Sequence, residues 1–138
     1  MNYVFMTDSD SDLPFALKQE LDIPVVYMPY ALDGKEYFDD LGQTIDHKSY
    51  YDKMRQGAQP VTSALNEDTY IDYFEPILKD NNLLFLAFSS QMSCTIQAIY
   101  AAREALLKKY PKAIFGGIAA GVLTAMVSIL ILSIAFDL

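Results

Sequence analysis

Three short polar runs hold the side chains with which this sequence could do chemistry. They are Thr7-Asp8-Ser9-Asp10-Ser11, Pro60-Val61-Thr62-Ser63 and Ser89-Ser90-Gln91-Met92-Ser93-Cys94-Thr95. Hydroxyls of Thr62, Ser63, Ser90 and Ser93 are neutral hydrogen-bond donors. A helix opening at Ser93 adds free backbone N–H groups and the positive end of its dipole. Together these suit a small anion, either a carboxylate or a phosphate. Plain structural readings stand beside this one: Ser93 as an ordinary N-cap, and Thr62-Ser63 as a loop approaching a helix. Asp8, Asp10 and Asp12 offer oxygens to a hard cation, but their D-x-D-x-D spacing lacks the remaining EF-hand positions. They read as a solvated loop with Asx turns, and no metal is expected.

Other reactive groups are few. His47 is the one histidine and Cys94 the one cysteine, so neither an intrachain disulfide nor the usual zinc site can be built. His47 reads as a helix-surface residue with no nucleophile beside it in sequence. Cys94 at a helix N-terminus has the setting that lowers a thiol pKa, yet reads as a buried inert side chain. Neither a G-x-G-x-x-G nor a G-x-x-x-x-G-K-[ST] run is present, so nucleotide binding by those devices is not indicated. No catalytic residue and no cofactor are expected.

The elements that must position these runs follow from apolar patterning. Tyr3 to Met6 reads as a buried strand ending in the first polar run. Pro14 permits a helix with Phe15, Leu17 and Leu21 on one side. Ile23 to Met28 reads as a second strand. Asp33-Gly34 is a hairpin turn between Tyr30-Ala31-Leu32 and Lys35-Glu36-Tyr37. Asp46 caps a helix running to about Gln56 with Gly57 as its stop. Pro60 to Ser63 reads as a loop. Asn66 or Asp68 caps a helix whose Tyr70, Tyr73, Phe74, Ile77 and Leu78 form an apolar stripe, with Pro76 expected to kink or shorten it. Leu83 to Phe88 reads as a strand covered on both faces. A helix from Ser93 to about Lys109 turns Ile96, Ile99, Ala102 and Leu106 inward. The fold class expected is α/β, a layered domain on a parallel sheet.

Composition narrows the partners. Of 138 residues, 52% are hydrophobic and 20% charged, so one ordinary domain with a real core is expected. The net charge of -8 disfavours nucleic acid and anionic membrane surfaces. Met1 to Met6 lacks a basic leader and soon meets Asp8, Asp10 and Asp12, so a cytoplasmic location is expected. Ala113 to Phe136 carries no charge and is long enough for a transmembrane candidate.

The polar runs, in this order, resemble the opening half of DegV-family fatty-acid-binding proteins. Thr7-Asp8-Ser9 then Ser11-Asp12-Leu13 is similar to the family's T-D-S and S-D-L signature. Leu32-Asp33-Gly34-Lys35-Glu36-Tyr37 resembles its D-G-K-x-Y hairpin, and Pro60-Val61-Thr62-Ser63 its P-x-T-S loop. Ser89 to Thr95 resembles its S-S-x-x-S-G-T loop, with Cys94 where Gly is usual. The likeness covers about residues 3 to 115. It implies a bacterial, cytosolic α/β protein that binds one long-chain fatty acid in a tunnel between two domains. The carboxylate donors map to Thr62 and Ser93, with Ser63 and Ser90 as second choices. Non-catalytic presentation of the fatty acid to a separate fatty-acid kinase is implied.

Gly116-Gly117-Ile118-Ala119-Ala120-Gly121 departs from the family pattern. The expected organisation is a lipid-binding domain over 1–115 and a hydrophobic helical tail over 116–138, without a second domain. A truncated or frame-disrupted, inactive copy, a membrane anchor over 113–136, and a segment covered by a partner are the readings of that tail. Two further functions stay open: an enzyme acting on a phosphorylated small molecule at the Ser93 helix terminus, and a membrane-tethered interaction domain.

Overall fold

The computed structural model describes residues 2–88 and 95–119. In chain order the elements are β1 (Tyr3–Asp8), a 3-10 turn (Ser9–Ser11), α1 (Phe15–Glu20), β2 (Val25–Val26), β3 (Pro29–Leu32), β4 (Lys35–Phe38) and α2 (His47–Arg55), followed by β5 (Val61–Thr62), α3 (Glu67–Leu78), β6 (Asn82–Ala87), α4 (Thr95–Lys109) and β7 (Phe115–Ala119).

Four strands form a parallel sheet in the order β2-β1-β6-β7. The chain leaves β1 for one edge by way of α1 and leaves β6 for the other by way of α4. Right-handed crossovers in opposite directions place their helices on opposite faces. The side chains alternate accordingly. Met6, Leu83, Phe85 and Phe115 pack with Tyr70, Phe74 and Leu78 of α3 and Ile99, Ala102 and Leu106 of α4. Phe5 turns the other way, to Leu13, Phe15, Leu17, Ile23 and Val25. The main core centres on aromatic rings: Phe74 lies 4.9 Å from Phe85 and 4.9 Å from Phe115, centroid to centroid, and 5.5 Å from Tyr70. These are the separations at which offset and edge-to-face rings attract.

A second, antiparallel sheet of order β4-β3-β5 carries the hairpin. Its turn uses Asp33 at φ 53° and Gly34 at φ 74°, the paired left-handed residues a two-residue hairpin loop demands. Asp46 caps α2 by accepting from the Ser49 amide, and Asn66 caps α3 by accepting from the Thr69 amide, as the sequence predicts. The stop at Gly57 is also present, at φ 103°.

Five expectations need correction. Val61-Thr62 is not loop but strand β5, paired with Tyr30 and Ala31; two residues are too short for a periodic signal. Of Ile23 to Met28, only Val25-Val26 pairs with β1. The Asp8 end of the first polar run is not solvated: Asp8 and Ser9 are 3% and 1% exposed, because β1 runs on to Asp8 and its tip is covered. β6 is not dry on both faces: Leu84 is 37% exposed, since the apolar cluster on its side gathers β1 and β2 rather than β6. Finally, the opening of the apolar C-terminal stretch extends the sheet, as β7, instead of starting a helix. There Arg103 of α4 donates from Nε to the Phe115 carbonyl at 2.7 Å, and Asn82 accepts from the Ile114 amide at 2.9 Å. Residues 120–138 lie outside the described ones, and among the described residues no helix is long and apolar enough to cross a membrane.

Candidate functional site

In the parallel sheet the strand order reverses between β1 and β6, and the carboxyl ends of those two strands are where ligands settle in such folds. The first polar run sits there, and the side chains of Thr7, Asp8, Ser9 and Ser11 are spent on backbone partners. Thr7 donates from Oγ1 to the Leu86 carbonyl at 3.0 Å. Asp8 accepts at Oδ2 from the Phe88 amide at 2.9 Å. Ser9 accepts at Oγ from the Met28 amide at 3.0 Å. Ser11 closes the turn by donating to the Asp8 carbonyl at 2.8 Å.

Beside this tip lies a cleft of about 220 Å³, lined by residues of the turn (Asp10, Asp12), the start of β3 (Met28, Pro29, Tyr30), Asp39, α2 with its lead-in (Ile45, His47, Tyr50, Tyr51), and Thr62. The hairpin brings Tyr30 into the wall, where it meets Tyr50 edge-on at 5.5 Å. β5 delivers Thr62 because it pairs opposite Tyr30, while the Ser63 amide donates to the Pro29 carbonyl at 3.2 Å. Thr62 lines the cleft, and Ser63, just past β5, is not in its lining. Ser90 and Ser93, with Cys94, lie outside the described residues. The described neighbours of that loop, Phe88 and Thr95, flank the same end of the sheet.

The electrostatics are acidic. Burial, reinforced by nearby Asp10, pushes the Asp8 carboxyl up to about 7, against the lowering effect of the Phe88 amide. Burial also raises Asp10, helped by Asp39 and Asp12. Asp39 is raised by burial too, though the Leu41 amide, the Ser9 hydroxyl and His47 pull the other way. Among the described residues the lining contains no Lys or Arg; His47 is its basic group. Such a lining is less unfavourable to a singly charged or protonated acid than to a dianion such as phosphate.

Sequence reasoning missed Asp39, Ile45 and the specific tyrosines of the wall. Their signal was weak: Tyr30 sits in the recognised hairpin, but Tyr50 and Tyr51 are adjacent on a short helix and mark no apolar stripe. His47 is exposed on its helix as expected, and it also borders the cleft.

Comparison with known proteins is consistent along the chain. The family described as "Uncharacterised protein, DegV family" matches residues 3–126. A DegV domain-containing protein of Clostridium perfringens is 38% identical over 112 residues, which are 80% of this chain and 38% of that protein. A solved DegV family protein from Thermus thermophilus, described as fatty-acid binding, is 26% identical with a TM-score of 0.70. The match covers 86% of this chain and 41% of that one. The Streptococcus pneumoniae fatty acid kinase (Fak) B3 protein, solved loaded with linoleic acid, shares the fold at 16% identity and a TM-score of 0.64, covering 88% of this chain and 43% of its own. The chain thus spans about two fifths of the length of the relatives it matches.

Proposed function

The chain belongs to the DegV family, and on that premise we propose that it binds a long-chain fatty acid by its carboxylate and performs no chemistry on it. The observation that carries this reading is the delivery of Thr62, by β5, to a cleft walled by Met28, Pro29, Tyr30, Ile45 and Tyr50. The Thr62 hydroxyl beside an apolar and aromatic side of the wall, opposite Asp10, Asp12, Asp39 and His47, suits a molecule with a small polar head and a greasy tail. Ser93 and Ser90, on the loop after β6, are the partner donors; Ser63 is the weaker choice because it lies just past β5, outside the lining. The fatty-acid binding described for the Thermus thermophilus relative supports the ligand class.

Much of the affinity comes from the tail, at about 0.8 kcal/mol per buried methylene. The cleft of about 220 Å³ is below the roughly 300–1,000 Å³ of complete ligand pockets, so the described residues supply the head and the first stretch of wall. The likeness to the Fak B3 protein supports a fatty-acid kinase as the partner to which the lipid is presented; the cytoplasm as the place follows from the acidic, leaderless opening of the sequence. In this reading the lipid-binding unit is residues 1–115 completed by β7. The rival enzyme acting on a phosphorylated molecule is disfavoured by the aspartates and by a lining without Lys or Arg among the described residues.

The test is lipid extraction and mass spectrometry of the chain purified from bacteria, followed by titration with stearic acid. An acyl chain should co-purify, and Thr62→Ala should weaken binding about tenfold, the cost of one hydrogen bond to a charged head. No co-purified lipid, together with binding indifferent to both Thr62→Ala and Ser93→Ala, sinks the proposal.

A further inference from the structure

The ligand proposed above is an acid, yet the cleft that would hold its head is lined by three acids of its own. Asp10 and Asp12 enter from the turn after β1, and Asp39 from the chain after β4. Among the described residues no Lys or Arg lines this cleft to offset them. Carboxylates brought together in this way do not all stay ionised; one is driven to hold a proton. The surroundings of the three differ. Asp39 accepts from the Leu41 amide at 3.2 Å and from the Ser9 hydroxyl, and His47 favours its charge. Asp12 is exposed to water. Asp10 is half-buried, no donor among the described residues reaches its carboxyl, and Asp39 and Asp12 both oppose its charge.

A protonated carboxyl differs from a carboxylate in having an O–H to donate. Placed against a second carboxylate, it forms a short, charge-assisted hydrogen bond in which one proton serves two acids. We propose that Asp10 is a head-group residue that works in its protonated form: its O–H donates to the fatty-acid carboxylate alongside the Thr62 hydroxyl, and capture of the lipid takes up one proton from water. The inference rests on the fatty-acid reading above, whose ligand class comes from the Thermus thermophilus relative and not from the aspartates. It makes the acidic lining the source of a donor.

The groups facing Asp10 come from every element around it. Asp8 of β1, Asp12 of the turn and Asp39 after β4 disfavour its charge. His47 of α2 lines the same cleft and acts on Asp39. Phenols are contributed by Tyr30 of β3, Tyr50 and Tyr51 of α2, and Tyr70 of α3. An incoming anionic head adds one more negative charge to this set, and a proton from water relieves it. Asp8 is pushed up further than Asp10, to about 7, but it does not line the cleft and its Oδ2 accepts from the Phe88 amide. A proton held there has no route to the head group, whereas one on Asp10 lies in the wall.

The experiment titrates the full chain with stearic acid and with stearyl alcohol at about pH 7.5, by calorimetry in two buffers of different ionisation enthalpy, which counts the protons taken up. Wild type should take up about one proton per stearic acid and none per alcohol. Its affinity for the acid should fall by up to about tenfold per pH unit above that point. Asp10→Asn carries a permanent N–H donor and should bind the acid without proton uptake and with a flatter pH response. Asp10→Ala removes the charge without supplying a donor, and should bind the acid about tenfold more weakly than Asp10→Asn. In wild type the Asp10 carboxyl carbon resonance should move to its protonated position when stearic acid is added. Stearic acid bound without proton uptake, uptake that persists in Asp10→Asn, or equal affinities of Asp10→Ala and Asp10→Asn overturn the proposal and spare the fatty-acid reading. A wild type that binds no stearic acid ends both. Should the variants fail to fold, an Asp10 resonance that stays at its ionised position on binding overturns the proposal without them.

Discussion

The aromatic layer beneath the parallel sheet and the cleft beside the antiparallel one are built on opposite terms. In the first, Tyr70, Phe74, Phe85 and Phe115 are fully enclosed, and their partners are rings and aliphatic groups. In the second, the wall is half-open, three aspartates crowd it, and its strand β5 is two residues long and exposed. Stability is concentrated away from the cleft. The cleft carries charges that repel one another, a cost the packed layer offsets.

The sharpest way to break this contrast is to hollow the packed layer. Phe74→Ala should cost about 3–5 kcal/mol, read as a lower urea midpoint and melting temperature. A variant as stable as wild type would mean that the rings do not anchor the fold.

Next in size is the pH dependence set by Asp8. Its folded pKa is raised, so the native state holds a proton that the unfolded chain has released. Stability is therefore fully present below about pH 4 and declines as pH rises toward about 7, by at most about 4 kcal/mol. Asp10 and Asp39, also raised, push in the same direction. Denaturation in urea across that range should show the slope in wild type and a shallower one in Asp8→Asn. Equal slopes would remove Asp8 from the account.

The smallest effect sharpens the comparison instead of breaking it. Thr62→Ala removes an exposed side chain, so unfolding free energy should move by no more than about 0.5 kcal/mol even where lipid binding drops. A large loss of stability would make Thr62 a structural residue first and a donor second.

Much of the scaffold was legible because its signals are redundant. Asn66 at a cap, a stripe at Tyr70, Phe74 and Leu78, and an apolar run at Leu83 to Ala87 all point to one helix packed on one strand. The site was legible only by motif. Thr62 emerged from the P-x-T-S run, but that it belongs to a strand could not be read, since β5 exists by virtue of pairing with β3 rather than by its own propensity. Asp8 was misjudged for a related reason. An aspartate is nearly always a surface residue, and its burial is made tolerable by backbone partners such as the Phe88 amide just past β6 and by a carboxyl raised toward neutrality. Asp39 joins the wall through a loop whose path no periodicity encodes, and that loop also sets where α2 brings Tyr50.

The pairing of β1 with β6 has a kinetic side. Tyr3 lies opposite Asn82 and Thr7 opposite Leu86, a separation of 79 residues. Local helices and the hairpin can form within microseconds, but this central ladder must wait for a long loop to close. On the ribosome the first strand leaves the exit tunnel well before its central neighbour has been made. Until then its edge is open to any other extended chain, so crowding and slow synthesis are the conditions under which this fold is most exposed to mispairing.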